Sequence, residues 1–270
     1  MNPSKYILFL IISFQVFLLS CTEKVEIPLD QYTSSIVIEG AISSAMTSHI
    51  VKISRTQAYF DNTPPQMVEG AMVSVEDSSS TYYFTETSPG IYFLGYLRAS
   101  PGHEYVLNVE LGDQLYTAST IMPRTPVIDS ISFEINDSDY DWVFVKMYGQ
   151  ENTLPGDYYF WGVYKDYVYQ SDNITKLHYL SDILINGSYL DGLKVQTVEA
   201  KPGTRVSLQM ASISRNYYNY CIAVLKETVY TTGPFKPAPA SLEGNFSNGA
   251  LGFFYAYNEV FYTAIVFDIE

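Results

Sequence analysis

From Ser34 onward the chain is interrupted every few residues by prolines and turn dipeptides that leave no room for long helices. Pro64-Pro65, Ser88-Pro89-Gly90, Ser100-Pro101-Gly102, Gly112-Asp113, Asn186-Gly187, Asp191-Gly192 and Asn248-Gly249 all fall between short apolar runs. Proline fixes φ and removes a donor, and the glycine dipeptides supply positive φ, so each is a place where a strand ends and the chain reverses. The runs between them are rich in β-branched and aromatic residues. They cover 36–39, 49–54, 71–76, 82–86, 91–94, 104–110 and 115–121, and then 128–135, 142–148, 158–167, 193–198, 205–210, 252–257 and 262–267. Short strands at this spacing predict a mainly β protein built from sandwiches.

Met122-Pro123-Arg124-Thr125-Pro126 divides the two sets, because two prolines close together cannot join a ladder. The expected organisation is an immunoglobulin-like or transthyretin-like sandwich over 34–122, a proline linker over 123–126, and a second β-rich domain over 127–270. One segment departs from the β pattern. Ile213, Tyr217, Tyr220, Cys221 and Val224 fall on one helical face, which predicts a helix near 213–230 with Ser212 as its N-cap. Cys221 on that stripe reads as a buried, inert thiol.

Residues 1–20 have the layout of a secretory leader: Lys5 in a short polar start, then an apolar run from Tyr6 to Leu19 broken by Ser13 and Gln15. The run is shorter than the roughly 20 residues a spanning helix needs. It ends in Leu18-Leu19-Ser20-Cys21, which resembles the bacterial lipobox, so cleavage is expected between Ser20 and Cys21, with Cys21 lipidated. Acyl chains contribute about 0.8 kcal/mol per buried methylene, enough for a firm anchor without a spanning helix. Residues 21–33 then read as a tether. With Cys21 carrying lipid, Cys221 is left with no thiol to pair with, so the fold must rest on its core.

The full chain carries 15 Lys and Arg against 29 Asp and Glu. Loss of Lys5 with the leader leaves a net charge of −15. This balance excludes a nucleic-acid partner, which requires clustered basic side chains. His49, His103 and His178 are scattered, so no metal or other cofactor is expected. Asp137-Ser138-Asp139-Tyr140-Asp141 has the opening spacing of a calcium loop, but Trp142 replaces the turn glycine and Tyr148 the closing glutamate, so it reads as a solvated acidic turn. There is no G-x-S-x-G elbow, P-loop or dinucleotide fingerprint, and the chain is expected to be noncatalytic.

Tyrosine is abundant, at 25 residues, and concentrates after the prolines. In 158–165 one face would carry Tyr158, Phe160, Gly162 and Tyr164, the other Tyr159, Trp161, Val163 and Lys165. Both faces are aromatic, so at least one is expected to be core. Tyr159, Trp161, Tyr167 and Tyr169 are the candidate partner-binding aromatics, for a small-molecule, glycan or peptide ligand. Asp129-Ser130-Ile131 fits a bacterial O-glycosylation pattern and makes Ser130 a candidate modification site.

The order of several segments carries a family resemblance. Gly70-Ala71-Met72-Val73-Ser74-Val75, Pro89-Gly90-Ile91-Tyr92 and Pro101-Gly102-His103-Glu104-Tyr105 resemble the transthyretin-like or carboxypeptidase-regulatory-like sandwich, which implies a spacer or interaction module. With Ile36–Gly40, Val51–Thr56, Tyr59-Phe60-Asp61 and Asn245–Tyr257, the chain resembles a family of Bacteroidota lipoproteins carrying a domain of unknown function. That resemblance implies an outer-membrane lipoprotein encoded beside TonB-dependent receptors. Glu23 and Glu26, soon after Cys21, favour display on the cell surface. The resulting expectation is an accessory or ligand-binding component of TonB-dependent transport. An adhesin or structural envelope protein is the alternative, and a carbohydrate-active enzyme the third.

Overall fold

The computed structural model describes residues 34–57, 63–136, 138–229 and 242–267. Residues 1–33, which hold Ser20, Cys21 and the tether, lie outside the described residues, as do Asp137 and 230–241.

The described chain is mainly β. In the first half β1 (Ile36–Ser43), β2 (Thr47–Arg55), β3 (Met72–Glu76), β4 (Thr81–Tyr83), β5 (Thr85–Ser88), β6 (Ile91–Leu97), β7 (Glu104–Leu111) and β8 (Gln114–Ile121) precede the proline segment. After it come β9 (Ser130–Ile135), β10 (Trp142–Gln150), β11 (Tyr158–Lys165), β12 (Val168–Tyr169), β13 (His178–Ser181), β14 (Tyr189–Glu199), β15 (Arg205–Ile213), helix α1 (Arg215–Val229) and β16 (Leu251–Ile265). Alternation drives most of these strands. In β7, Tyr105, Leu107 and Val109 turn inward while their neighbours are half-buried or exposed, and in β10 Val143, Val145 and Met147 do the same.

One nine-stranded sheet runs β12-β11-β15-β16-β1-β2-β6-β5, with β13 also paired to β11. Two smaller sheets, β4-β3-β7-β8 and β14-β10-β9, complete a sandwich each. The first core gathers Ile38, Ile42, Val51, Ile53, Val73, Val75, Tyr92, Leu107 and Val109 with Phe254 and Ala256. The second gathers Val143, Val145, Met147, Tyr159, Trp161, Val163, Val195, Leu208 and Met210, with Val260, Tyr262 and Ala264 packed against it. Even-numbered residues of β16 serve both cores, so both sandwiches lie on the same side of the long sheet.

Strand β16 is the shared member. Its first half pairs parallel with β1, from Val37 opposite Leu251 to Ser43 opposite Tyr257. Its second half pairs antiparallel with β15, from Ser212 opposite Asn258 to Arg205 opposite Ile265. The sequence expectation of separate strands at 252–257 and 262–267 is therefore corrected to one continuous strand. Residues 246–256, assigned from sequence to the second domain, contribute Phe246, Ala250, Phe254 and Ala256 to the first core. The run 82–86 also divides: β4 joins a small sheet and β5 the long one, the corner being turned at Phe84.

At Gly252 the chain enters this shared strand with φ +90°, directly beside the Ile38 carbonyl of β1. Glycine is required there twice over, for the backbone conformation and for the missing Cβ.

Helix α1 covers the opposite face of the sheet. Tyr217 stacks on Tyr255 with ring centroids 3.5 Å apart and planes 10° apart, and Tyr218 meets Tyr158 at 5.0 Å. Its cap is Ser214, whose Oγ accepts from the Tyr217 N–H at 3.2 Å. The predicted cap, Ser212, is instead a buried residue of β15, and Ile213 closes that strand. Cys221 is fully buried as expected, and burial pushes its thiol up to about 11, against the easing hydrogen bonds of Tyr179 and Tyr217.

Candidate functional site

Because alternate residues of β11 face opposite sides of the sheet, its aromatics separate into two environments. Tyr159 and Trp161 enter the second core at 0% and 1% exposure. This corrects the expectation for both, since neither offers surface to a partner. Tyr158 and Phe160 lie on the helix side, against Tyr179, Tyr218 and Tyr257. Much of the tyrosine excess is thus packing between α1 and the sheet. Burial raises the Tyr217, Tyr255 and Tyr257 hydroxyls above their ordinary range, as a dry interface requires.

Tyr167 and Tyr169 have different settings. Tyr167 is 78% exposed in the tight turn joining β11 to β12, where Asp166 and Tyr167 adopt φ 47° and 70°. Two consecutive positive φ values are the type I′ hairpin geometry, normally filled by Asn-Gly. A tyrosine there costs about 1–2 kcal/mol in backbone strain. The turn is held by the Arg205 N–H, which donates to Asp166 Oδ1 at 3.1 Å, and by the Arg205 guanidinium 5.3 Å from the Tyr167 ring. The result is a ring held outward on a pinned turn, with exposed Val168 beside it in sequence. Tyr169 is half-buried, its ring 4.7 Å from Tyr164, which in turn meets Phe261 at 6.0 Å. Under them Gln209 Nε2 donates to Glu259 Oε2 at 2.6 Å, and burial raises the Glu259 carboxyl.

A cleft of about 560 Å³ opens between β14, the segment before β13 and α1, lined by Trp142, Gln170, Lys176, His178, Gln196 and Leu225. Ser130 begins β9, half-buried, with Asp129 exposed before it. In the acidic turn Asp139 Oδ1 accepts from the Asp141 N–H at 3.2 Å, and Asp139, Tyr140 and Asp141 are exposed.

The loops around β11 hold a group that the sequence reading missed. Glu151 follows β10, Asp157 precedes β11, and Asp182 follows β13. Pairing of Tyr158 with Ser181 sets Asp157 beside Asp182. Asp182 Oδ2 then accepts from the Gly156 and Asp157 N–H groups at 2.7 and 3.0 Å, closing the loop on itself. Asp157 Oδ2 accepts from Asn152 Nδ2 at 2.9 Å and lies 3.5 Å from Arg124 Nη2. Tyr159, reaching through the core, donates its hydroxyl to Glu151 Oε1. An oxygen from each of the three carboxylates lies within 4.8 Å of the others. Glu151 is 2% exposed, and its Oε2 accepts no hydrogen bond. The loops so tied carry Leu154, Ile183 and Leu184 outward.

Burial pushes the Glu151 carboxyl up, against the Tyr159 hydrogen bond and reinforced by the Asp157 and Asp182 charges. The folded protein therefore keeps this proton at pH values where the unfolded chain has lost it. Stability from this group is full below its ordinary value of 4.5 and falls as pH rises through the raised folded value. Glu151→Gln, which is neutral at every pH, is expected to gain on the wild type as pH is raised from 4.5 to neutral. Urea unfolding in EDTA at the two pH values checks this, and a constant difference between the chains would refute it.

The fold defines the class: a mainly β protein in which two sandwich cores share one sheet. The chain belongs to the family described as "Domain of unknown function (DUF4249)", which matches residues 22–263. No curated protein matches the sequence. Among solved structures, the BSP domain of a biofilm associated protein is 11% identical over 65% of this chain and 26% of that one, with a TM-score of 0.24. The FN1–FN3 domains of chicken CNTN1 are 14% identical, covering 66% of this chain and 57% of that one, with a TM-score of 0.27. A segment of two fibronectin type III domains from chicken tenascin is 16% identical, covering 67% and 92%, with a TM-score of 0.21. The chain thus spans 26% and 57% of the first two structures. No helix among the described residues is long and apolar enough to cross a membrane.

Proposed function

We propose that this chain is a noncatalytic cell-envelope lipoprotein, anchored by lipid on Cys21 in the outer membrane of a Bacteroidota cell. Its role in this reading is that of an accessory, partner-binding component of a TonB-dependent transport system, facing the cell surface. The observation that carries the reading is the leader ending in Leu18-Leu19-Ser20-Cys21, separated by a short acidic segment from a β body that starts at Ile36. The resemblance to lipoproteins encoded beside TonB-dependent receptors supplies the partner. The outward Tyr167 ring supplies the contact: a large apolar face with a polar edge, held by its turn and by Arg205.

Affinity purification of the tagged intact chain in mild detergent is expected to bring down a TonB-dependent receptor. Tyr167→Ser is expected to reduce recovery by about tenfold or more, the effect of losing one interface anchor. Recovery of the chain without any receptor would count against the transport role.

A further inference from the structure

We propose that Glu151, Asp157 and Asp182 form a binding site for one divalent cation of the hard, oxygen-preferring kind, calcium before magnesium. Glu151, Asp157 and Asp182 bring three carboxylates together, and one buried oxygen of Glu151 has no hydrogen-bond partner. Glu151 is 98% buried in effect, at 2% exposure, and Tyr159 engages only its Oε1. No hydrogen-bond donor among the described residues reaches its Oε2, and an unpaired buried carboxylate oxygen carries a desolvation penalty. A cation ligated there removes that penalty.

Charge points the same way. Three carboxylates face one guanidinium, Arg124, which lies 3.5 Å from Asp157 alone of the three and also donates to the Leu154 carbonyl at 3.1 Å. Two negative charges are left uncompensated, and a divalent ion closes the balance to zero. The donors are all carboxylate oxygens, with no histidine or cysteine in the group, a set that selects hard cations over zinc or copper. Calcium accepts irregular coordination completed by water and main-chain carbonyls, whereas magnesium demands near-octahedral geometry; a site assembled from three loops suits calcium. The ligands are also pre-organised, because the Gly156 and Asp157 amides fix Asp182, Asn152 fixes Asp157, and Tyr159 fixes Glu151.

The rival occupant is a proton on Glu151, which removes one of the two uncompensated charges, and calorimetry separates the two. The intact chain, stripped with EDTA in mild detergent near neutral pH, is titrated with calcium chloride and then melted with and without it. Saturable binding of one ion per chain and a calcium-dependent rise in Tm are expected, with weaker binding of magnesium. Glu151→Gln is expected to lower calcium affinity at least about tenfold. Asp157→Asn, at the more accessible rim, is expected to do the same and serves if the first variant folds poorly. No saturable heat and no rise in Tm up to about 10 mM calcium, the weak end of known protein sites and beyond, overturns the proposal. Binding that survives both substitutions overturns it as well, and tighter binding of magnesium overturns the calcium assignment.

Discussion

Gly252→Ala is expected to destabilise the whole body, by about 3 kcal/mol or more, the range reached when strain and steric overlap coincide. An alanine at φ +90° costs about 1–2 kcal/mol in backbone conformation alone. Its Cβ would also fall inside the van der Waals envelope of the Ile38 carbonyl oxygen, and would press on the Ile38 carbonyl carbon and amide. These atoms belong to the backbone of β1 and cannot rotate aside as a side chain can. Relief requires the β1–β16 ladder to open, which uncovers Phe254 and Ala256 of the first core. Gly249→Ala is the matched control: its φ of +73° carries similar strain, but nothing lies within 4 Å of the added carbon. Thermal melts should show Gly252→Ala lowered by several degrees more than Gly249→Ala, at about 2–4 °C per kcal/mol for a chain of this size. Equal melting temperatures for the two variants would show that β16 does not enter the sheet as described.

Cys21→Ala is expected to move the protein from the membrane fraction to the soluble one almost completely. A triacylated cysteine buries dozens of methylenes at about 0.8 kcal/mol each, so the anchor is effectively all or none. Nothing else in the sequence offers a substitute: the apolar run before it is too short to span, and a charge of −15 repels an anionic surface. Fractionation in carbonate, with palmitate labelling of the parent chain, reads the result. A Cys21→Ala chain that remains in the membrane fraction refutes lipid anchoring.

The parts of the fold that were legible in sequence are those governed by neighbours. Val73 and Val75, or Tyr105, Leu107 and Val109, alternate because each strand has one dry face, and their bounding glycines and prolines mark the turns. The helix was legible for the same reason, but its start shifted from Ser212 to Ser214, since two serines flank Ile213 and either can cap. Alternation could not rank the faces of β11, because Tyr158 and Phe160 lie under α1 while Tyr159 and Trp161 face the core, and both sets are aromatic. Strands β12 and β13, of two and four residues, are too short to show a period. The parallel pairing of β1 with β16 is a long-range register with no local signature. The same holds for Glu151, Asp157 and Asp182, which lie in separate loops until β11 and β13 align them.

The shared strand also sets an order of events. Until residues 251–265 arrive, β1 and β15 each present an open edge, and neither core has its full complement of side chains. A chain emerging from its N-terminus therefore cannot complete its first sandwich early and wait for the second. Both must close together when β16 slides between β1 and β15. That makes the polypeptide most prone to aggregate before residues 251–265 join the sheet, and makes that one segment the part on which both cores depend.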